Sequence, residues 1–418
     1  MAAPKLRFKE FDGDWTSSDF SKASVQIIDG DRGFNYPKSD DFYDDEFCLF
    51  LNAGNVTKQG FNFENTQFIT KNKDSSLRKG KLERNDLVIT TRGTVGNVAY
   101  FNDSVSFKNM RINSGMVIAR CQKNVLADFI NQFLNSDLFE KWLDKNAFGS
   151  AQPQLTVKLL NSIDLNYPSK PEQTKIASFL SAVDEKISQL TQKHQLLSQY
   201  KQGMMQKLFS QQIRFKADDG SEFGEWDFIE LGTATDVTKL AGYEFTKHIV
   251  YKDSGNLIAL RGLNVKNNKL DLSDVKYIDD SDLKMLGRSK LYIDDLIFTY
   301  VGTIGDVALI QENEKFYLAP NVARIRANKE LLNPVYLLQY FNETSFRRNE
   351  IEKYIATSSQ PALSMTNIRK FHIAKPCLDE QTKIANLLSA IDQKVEVVAQ
   401  QIEQAKIWKK GLLQQMFV

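Results

Sequence analysis

The 418-residue chain has few cysteines, no long apolar run and almost no net charge. Without about 18 consecutive apolar residues, no membrane-spanning helix is expected. Residues 1–9 are polar where a signal peptide needs an apolar core, which predicts a cytoplasmic protein. The cysteines Cys48, Cys121 and Cys377 lie far apart, so reduced thiols are expected instead of disulfides or a zinc site. A net charge of +2 excludes a strongly basic body, so any attraction to phosphate must come from local patches or from partners.

Motifs for catalysis are also absent. The chain has no Gly-Lys-Ser/Thr loop, no Gly-x-Ser-x-Gly and no His-Glu-x-x-His, and its three histidines lack partners at metal-ligand spacing. Asn333-Pro-Val-Tyr336 approaches a methyltransferase signature but lacks the second proline, and it suits the start of a helix. Asp184-Glu-Lys186 and Asp392-Gln-Lys394 imitate part of a nuclease motif, but they lie in helical sequence where solvated charge is the default. The chain is therefore predicted not to be an enzyme.

What the chain does contain is an internal repeat. Residues 172–177, Glu-Gln-Thr-Lys-Ile-Ala, recur unchanged at 380–385, and 16 of the 38 positions from there to Phe209 and Phe417 are identical. Further upstream, residues 86–99 parallel residues 295–308. By contrast, residues 20–80 and 230–290 share almost nothing that can be aligned. Each half therefore joins a constant helical segment to a variable segment.

Shorter matches extend the repeat. Gln152-Pro153 parallels Gln360-Pro361, and Pro168 parallels Pro376. The sequence at residues 206–226 is continuous in the middle of the chain. Its second copy is split between the two ends of the chain, with one part at residues 414–418 and the other at residues 6–15. The simplest geometry is a closed, pseudo-two-fold arrangement in which the two ends of the chain lie close together.

The constant segments are predicted to be long helices that pair as an antiparallel coiled coil. Their apolar residues recur at steps of three and four, interrupted by polar residues such as Lys201 and Lys409. In this pairing Ile176 would face Met416 and Leu208 would face Ile384. The alternative is that each helix lies on a globular core. The predicted seam residues are Ile176, Leu180, Val183, Ile187, Leu190, Leu197, Ile384, Leu388, Ile391, Val395, Val398 and Ile402.

The variable segments mix short strand-like runs with amphipathic helices, which predicts two small α+β domains with curled sheets. The paired Gly-Thr-x-Gly sequences, at Gly93 and Gly302, are typical of tight turns. The predicted boundaries place the first variable domain at 1–168, the central helix at 169–212, the second variable domain at 213–376 and the C-terminal helix at 377–418.

Loops rich in Arg, Asn and Tyr make the variable domains candidates for reading DNA bases. Residues 29–37 concentrate these types, and Arg92 occupies a turn position where the second copy has Val301. For each candidate the alternative is an ordinary solvated or structurally paired residue. The candidates are Arg32, Asn35, Tyr36, Arg92, Arg111, Asn113, Tyr243, Arg261, Tyr300, Asn321 and Arg324.

This organisation resembles the specificity subunits of type I restriction-modification enzymes across essentially the whole chain. The resemblance rests on the two constant regions, from Pro168 to Phe209 and from Pro376 to Phe417, and on the paired Gln-Pro and Gly-Thr-x-Gly sequences. The two-copy architecture is specific to that family, whereas the short motifs alone are not.

The resemblance implies a non-catalytic chain whose two target-recognition domains each read one half of a bipartite target in double-stranded DNA. The helices would set the spacing between the half-sites and dock two methyltransferase subunits, which methylate adenine N6 after flipping the base. Restriction subunits that translocate and cut DNA could join. This chain would need no cofactor, whereas S-adenosylmethionine, ATP and magnesium would belong to the partners.

Two alternative functions compete with this one. A single-chain enzyme with its own methylase and nuclease requires a longer chain and the missing motifs. A coiled-coil scaffold or interaction protein that never binds DNA would show no salt-sensitive DNA binding, whereas phosphate contacts weaken strongly with salt. The repeat does not separate this scaffold from a DNA reader, but the loops rich in Arg, Asn and Tyr favour DNA.

Overall fold

The computed structural model describes residues 4–147, 154–355 and 361–418, and it divides the chain into two compact units. Unit 1 comprises Met1–Thr191 with Ala399–Val418, and unit 2 comprises Gln192–Val398. Gln152, Pro153 and Gln360 lie outside the described residues.

Unit 1 is built from small sheets and short helices. Its β2–β10–β7–β8 sheet is antiparallel, β3 lies between β6 and the parallel strand β9, β1 pairs with β11, and β4 with β5 forms a hairpin. The strands are β1 (Thr16–Asp19), β2 (Val25–Asp29), β3 (Cys48–Leu51), β4 (Val56–Thr57), β5 (Gly60–Phe61), β6 (Phe68–Ile69), β7 (Asp86–Thr90), β8 (Val98–Phe101), β9 (Met110–Ile112), β10 (Met116–Cys121) and β11 (Asp164–Tyr167). The helices are α1 (Lys71–Ser76), α2 (Ala127–Leu134), α3 (Asp137–Asn146), α4 (Val157–Asn161) and the first part of α5 (Lys170–Phe209).

Unit 2 repeats this topology strand for strand. The β13–β21–β18–β19 sheet, the β17–β14–β20 sheet, the β12–β22 pair and the β15–β16 hairpin correspond to those of unit 1. The strands are β12 (Asp227–Glu230), β13 (Thr235–Lys239), β14 (Ile258–Leu260), β15 (Val265–Lys266), β16 (Lys269–Leu270), β17 (Lys276–Tyr277), β18 (Leu296–Thr299), β19 (Val307–Leu309), β20 (Phe316–Leu318), β21 (Val322–Ala327) and β22 (His372–Lys375). The helices are α6 (Leu231–Ala234), α7 (Gly242–His248), α8 (Pro334–Phe341), α9 (Thr344–Phe346), α10 (Met365–Arg369) and the first part of α11 (Leu378–Met416).

Residues 20–80 and 230–290, whose sequences share almost nothing that can be aligned, follow the same topology. After β3 and β14 the chain forms a 3-10 turn around a buried asparagine, Asn55 or Asn264. Asn55 Nδ2 donates to the carbonyl oxygens of Asn62 and Asn65 at 2.9 and 2.8 Å, and Asn264 Nδ2 donates to those of Asp271 and Asp274 at 2.9 and 2.8 Å. Because these bonds go to backbone atoms, the frame persists while the neighbouring side chains change.

A buried aspartate paired with an arginine also recurs in the four-stranded sheet of each unit. Arg120 Nε and Nη2 donate to the two carboxylate oxygens of Asp86 at 2.8 and 2.7 Å. Arg326 binds Asp295 in the same bidentate way, at 2.6 and 2.7 Å. Both carboxylates are almost completely buried, so each requires such a partner.

Helices α5 and α11 pack antiparallel within each unit, as predicted. In unit 1, Ile176 lies in one apolar cluster with Met416, and in unit 2, Leu208 lies in one cluster with Ile384. Of the other predicted seam residues, Leu180, Val183, Leu190, Leu388, Ile391 and Val398 are buried, and Ile187, Leu197, Val395 and Ile402 are half-buried. Near the end of α5 the buried methionine is Met205, while Met204 is half-buried. In unit 1 the seam also packs against α2, because Phe129 and Phe133 belong to the same cluster.

The two lysines that interrupt the seam are both paired. Lys409 Nζ lies 2.6 Å from Asp184 Oδ1 in unit 1, and Lys201 Nζ lies 2.7 Å from Asp392 Oδ1 in unit 2. The same carboxylates accept hydrogen bonds from Gln132 of α2 and Gln339 of α8, at 3.0 and 2.8 Å. The acidic residues that imitate a nuclease motif therefore join the two helices to their own domain.

The repeated Glu-Gln dipeptide attaches each recognition domain to its helix. Gln173 Oε1 accepts from Leu126 N at 2.8 Å, and its Nε2 donates to the carbonyl oxygens of Asn124 and Pro168 at 3.0 and 2.9 Å. Gln381 makes the same three bonds with Asn333 N, Leu331 O and Pro376 O. Both glutamines are fully buried, and their bonds to Pro168 and Pro376 are buried, whereas the other four bonds are part-buried.

The adjacent glutamates bind the segment that precedes each domain. Arg7 Nε and Nη2 donate to Glu172 at 2.7 and 2.8 Å, and Arg214 binds Glu380 likewise at 3.1 and 2.8 Å. In unit 1, Leu6 N also donates to Gln415 O at 2.9 Å. The two ends of the chain therefore meet in unit 1, as the repeat predicts.

None of the helices in the described ranges combines the length and apolar character that crossing a membrane requires.

We expect Gln173→Leu to destabilise unit 1, because it leaves the buried Pro168 carbonyl and the part-buried Leu126 N–H and Asn124 carbonyl without their partner. A buried group without a partner costs about 1–3 kcal/mol. Urea unfolding should show a loss of at least about 2 kcal/mol, and Gln381→Leu should do the same in unit 2. The control is Gln189→Leu on the exposed face of the same helix. Equal stability of Gln173→Leu and the control would contradict the role of the dipeptide.

Candidate nucleic-acid interface

Three loops of unit 1 meet at one edge and are here called the first loop cluster: residues 30–37, 91–97 and 113–115. Thr91 N donates to Gly115 O at 2.8 Å, which joins the β7–β8 hairpin tip to the β9–β10 turn. Arg32 Nη2 donates to Ser114 O, and Ser114 N donates to Tyr36 Oη, both at 3.3 Å. The structure therefore brings Arg32, Asn35, Tyr36, Arg92 and Asn113 into one set of adjoining loops.

Glycine is required at two positions of this cluster. A Cβ on Gly30 would lie 2.2 Å from Asn113 O, so the loop after β2 touches the β9–β10 turn directly. Gly96 has φ +88°, and a Cβ there would lie 2.4 Å from Leu143 of α3. The Gly-Thr-x-Gly sequence is thus a tight hairpin with a close backbone approach, as predicted.

A buried carboxylate fixes the loop at residues 30–37. Asp31 accepts hydrogen bonds from the backbone N–H groups of Gly33 and Arg78, both at 2.6 Å, and from Lys79 at 3.3 Å. Burial alone raises the pKa of Asp31, but these three donors outweigh it and hold the pKa below its ordinary value. The ionised carboxylate therefore ties the loop to residues 78–79.

The candidates in the first loop cluster differ in how free their side chains are. Arg92 is exposed and has no hydrogen bond or ion pair with any residue that the structure describes. Arg32 is half-exposed and pairs with Asp29 at 3.2 Å. Asn35 Nδ2 donates to Ser76 O at 3.3 Å, and Asn113 Oδ1 accepts from Gly115 N at 2.8 Å. Arg92 is therefore the candidate best able to bind an external group.

Arg111 lies away from solvent and has a structural role. Its Nε donates to Asp74 Oδ1 at 2.6 Å, and its terminal nitrogens donate to the carbonyl oxygens of Asp74, Leu77 and Lys79 at 2.8, 3.2 and 2.6 Å. These bonds occupy the guanidinium and fix α1 against β9. A DNA contact by Arg111 stays a prediction that this geometry disfavours.

The equivalent edge of unit 2 contains a cleft of about 650 Å³. Arg261 and Asn321 both line it, and Tyr300 N donates to Asn321 O at 3.1 Å, just as Thr91 does to Gly115 in unit 1. Tyr300 also lies under Lys239, whose Nζ is 5.3 Å from the ring centroid. The remaining lining residues are Tyr251, Gly262, Leu263, Val265, Lys266, Val301, Gly302, Thr303, Asp306 and Pro320.

Two candidates of this cleft keep polar groups for a ligand. Asn321 is exposed and has φ +74°, which turns the chain sharply between β20 and β21. Arg261 Nη2 binds the carbonyl and carboxylate oxygens of Asp274 at 2.8 and 3.0 Å, whereas its buried Nε has no partner among the described residues. Asn321 is the freer of the two.

Tyr243 and Arg324, like Tyr300, are not among the residues that line this cleft. Tyr243 is exposed on α7. Arg324 is buried in β21, where it binds Asp236 and donates to Arg288 O at 3.1 Å. Arg324 is therefore placed like Arg111, as part of the sheet, and a DNA contact there is likewise disfavoured.

Comparison with known proteins gives the family. The family described as "Type I restriction modification DNA specificity domain" matches twice, at residues 26–199 and 225–406, which together make up most of the chain. The chain belongs to this family. It is a type I restriction-modification specificity subunit with two target-recognition domains, as the resemblance predicts.

Two relatives are type I specificity subunits, and one solved structure shares the fold. The chain is 24% identical over 312 residues to the type I restriction enzyme MjaVIII specificity subunit of Methanocaldococcus jannaschii, covering 72% of each chain. It is 22% identical over 400 residues to the EcoKI specificity subunit of Escherichia coli K12, covering 90% of this chain and 82% of the relative. The S subunit from M. genitalium shares the fold with a TM-score of 0.62 at 14% identity, over 100% of this chain and 99% of that one.

Three residues of this specificity subunit were missed by sequence reasoning. Tyr251 and Lys266 line the cleft of unit 2, and Phe34 is fully exposed in the first loop cluster. Phe34 belongs to the loop that the sequence singles out, but its exposure is not encoded in any local pattern. Lys266 precedes Asn267-Asn268, a pair that is typical of a hairpin turn. The position of Lys266 beside a turn could therefore have been predicted from the sequence.

The methyltransferase-like Asn333-Pro-Val-Tyr336 of this specificity subunit is a helix start. Asn333 Oδ1 accepts from the N–H groups of Val335 and Tyr336, and the buried Tyr336 hydroxyl donates to Ala374 O at 2.8 Å. No group of three or more potential metal ligands occurs within the ranges 4–147, 154–355 and 361–418. The motif therefore caps the N-terminus of α8.

We expect Asp31→Asn to loosen the first loop cluster, because an amide keeps only one acceptor oxygen and turns its NH2 group toward the N–H partners of the other. Hydrogen–deuterium exchange should quicken at Gly33, Arg78 and Lys79. Because the folded pKa of Asp31 is lowered, its stabilising effect is complete above the ordinary pKa of about 3.9 and is lost as the pH falls through the folded value. The exchange rates of the wild type and of Asp31→Asn should therefore become equal in acid. Asp103→Asn, at an exposed position, is the control. Equal exchange rates in all three proteins at pH 7 would contradict the role of Asp31 in fixing the loop.

Proposed function

We propose that this chain is non-catalytic and that each target-recognition domain reads one half of a bipartite target in double-stranded DNA through its loop cluster. The observation that carries the proposal is that the two edges share one backbone frame but differ in their side chains. Arg92 in unit 1 corresponds to Val301 in unit 2, and Gly115 corresponds to Asn321. A kept frame with changed side chains is what two readers of different sequences need.

The partners supply the chemistry. Two methyltransferase subunits would bind S-adenosylmethionine and methylate adenine N6, and restriction subunits would use ATP and magnesium. This chain would contribute no cofactor site of its own and would act in the cytoplasm with its DNA. The paired helices α5 and α11 would set the gap between half-sites. Joining two weak readers raises affinity through effective concentration, which suits a net charge of only +2.

The test is a map of adenine methylation in cells that carry the cognate methyltransferase subunit, with and without this chain. A split motif with a fixed gap, methylated only when the chain is present, is the expected result. Identical maps, together with no salt-sensitive DNA binding by the purified complex, would favour a scaffold that does not bind DNA.

Arg92→Ala should sharpen this test by changing only one half of the motif. Loss of a guanidinium that contacts a base costs about 1–3 kcal/mol at that base, so specificity in the first half-site should relax while the second half-site and the gap stay unchanged. Val301→Ala at the matching turn is the control for a small side-chain change. Equal relaxation of both half-sites by Arg92→Ala would contradict separate readers.

The helices offer two equivalent contact points for two copies of one partner. Tyr200 of α5, in unit 2, and Trp408 of α11, in unit 1, occupy the same repeat position and are 55% and 54% exposed. Exposed Leu196 and Ile407 accompany them. Large aromatic side chains contribute strongly to binding when a partner buries them.

Native mass spectrometry should therefore show a complex with two methyltransferase subunits for the wild type and one for either Tyr200→Ala or Trp408→Ala. The double variant should bind none at the same concentration. Gln404→Ala, exposed on α11, is the control. Two bound subunits on the double variant would exclude these residues as docking points.

A further inference from the structure

Phe34 is the most exposed large apolar side chain among the described residues, with 100% of its surface open to solvent. A side chain in this state contributes no burial to the fold. Single exposed apolar residues are common on proteins, so exposure alone does not indicate a role. What distinguishes Phe34 is the loop that carries it.

The backbone on both sides of Phe34 is fixed. Before it, Asp31 holds Gly33 N at 2.6 Å and is itself tied to residues 78–79. After it, Tyr36 N donates to Gly33 O at 3.0 Å, and the Tyr36 ring meets Phe50 edge-on with centroids 5.8 Å apart. The loop is therefore ordered before any ligand arrives, and it holds the phenyl ring away from the core.

Two arginines flank this ring, and each also pairs with a carboxylate: Arg78 with Asp31 at 3.9 Å and Arg32 with Asp29 at 3.2 Å. Arg78 has 77% of its side chain exposed, and its guanidinium lies over Gly33, where an added Cβ would be 2.4 Å from Nη2. Arg32 is 48% exposed. An apolar tip between two arginines fits double-stranded DNA, because the arginines can reach phosphates while the ring meets the bases.

We propose that Phe34 enters between two adjacent base pairs of the first half-site as a wedge, with Arg32 and Arg78 on neighbouring phosphates. The inference rests on the proposed function and adds a residue that determines specificity through the ease of unstacking one base step. In unit 2 the most exposed aromatic between β13 and β14 is Tyr243, which is only 58% exposed and carries a hydroxyl. The wedge is therefore assigned to the first half-site alone.

The experiment uses the complex of this chain with its methyltransferase subunits and the target found in the methylation map. Duplexes carry 2-aminopurine at successive positions of the first half-site, because its fluorescence rises when stacking is lost. Besides the adenine that the methyltransferase subunit flips, wild type should raise the signal several-fold at one further step only. Phe34→Ala should abolish that rise and weaken binding about tenfold, whereas Phe34→Leu, which keeps an apolar wedge, should retain most of both.

Phe228→Ala is the control, because Phe228 is also largely exposed but lies on β12 of unit 2. The wedge is overturned if Phe34→Ala keeps the wild-type fluorescence and affinity, or if Phe34→Leu loses both as fully as Phe34→Ala does. A wild-type complex that fails to bind the methylated motif at all would instead refute the proposed function. The two failures are therefore distinguishable.

Discussion

The structure depends on a buried Glu-Gln dipeptide at the start of each long helix. A carboxylate at Glu172 or Glu380 cannot be buried without a partner, and Arg7 or Arg214 supplies a bidentate one. The neighbouring glutamine, Gln173, makes three side-chain hydrogen bonds, and all three go to backbone groups of the same recognition domain. This one requirement explains why the sequence around it is unchanged between the two halves.

The rest of each domain tolerates change because its frame is held by backbone contacts. Asn55 and Asn264 satisfy carbonyl groups of the following loop, and two buried aspartates each take a bidentate arginine. Such bonds specify where the chain runs but not which side chains the neighbouring loop residues carry. A surface that must read a new DNA sequence can therefore vary without the loss of the sheet that supports it.

Sequence reasoning predicted the repeat, the paired helices and the meeting of the chain ends, because these depend on regular spacing and repeated words. In residues 20–80 and 230–290 the sequences do not align, because the shared signal is reduced to isolated positions such as Asn55 and Asn264. Sequence reasoning could not separate surface arginines from buried ones. Arg111 is paired with Asp74, which is 37 residues away along the chain, and no local pattern encodes that contact.

The two recognition edges show how a single frame yields different chemistry. The turn that carries Arg92 in unit 1 carries Val301 in unit 2, and an open loop bearing Phe34 is replaced after β13 by helix α7 bearing Tyr243. A free guanidinium favours hydrogen bonding to base edges, whereas a turn without charge leaves recognition to neighbours such as Asn321 and to shape. Each edge is supported by its own copy of the same hydrogen-bonded frame. The side chains of the two edges can therefore diverge independently, and a change in one need not disturb the other.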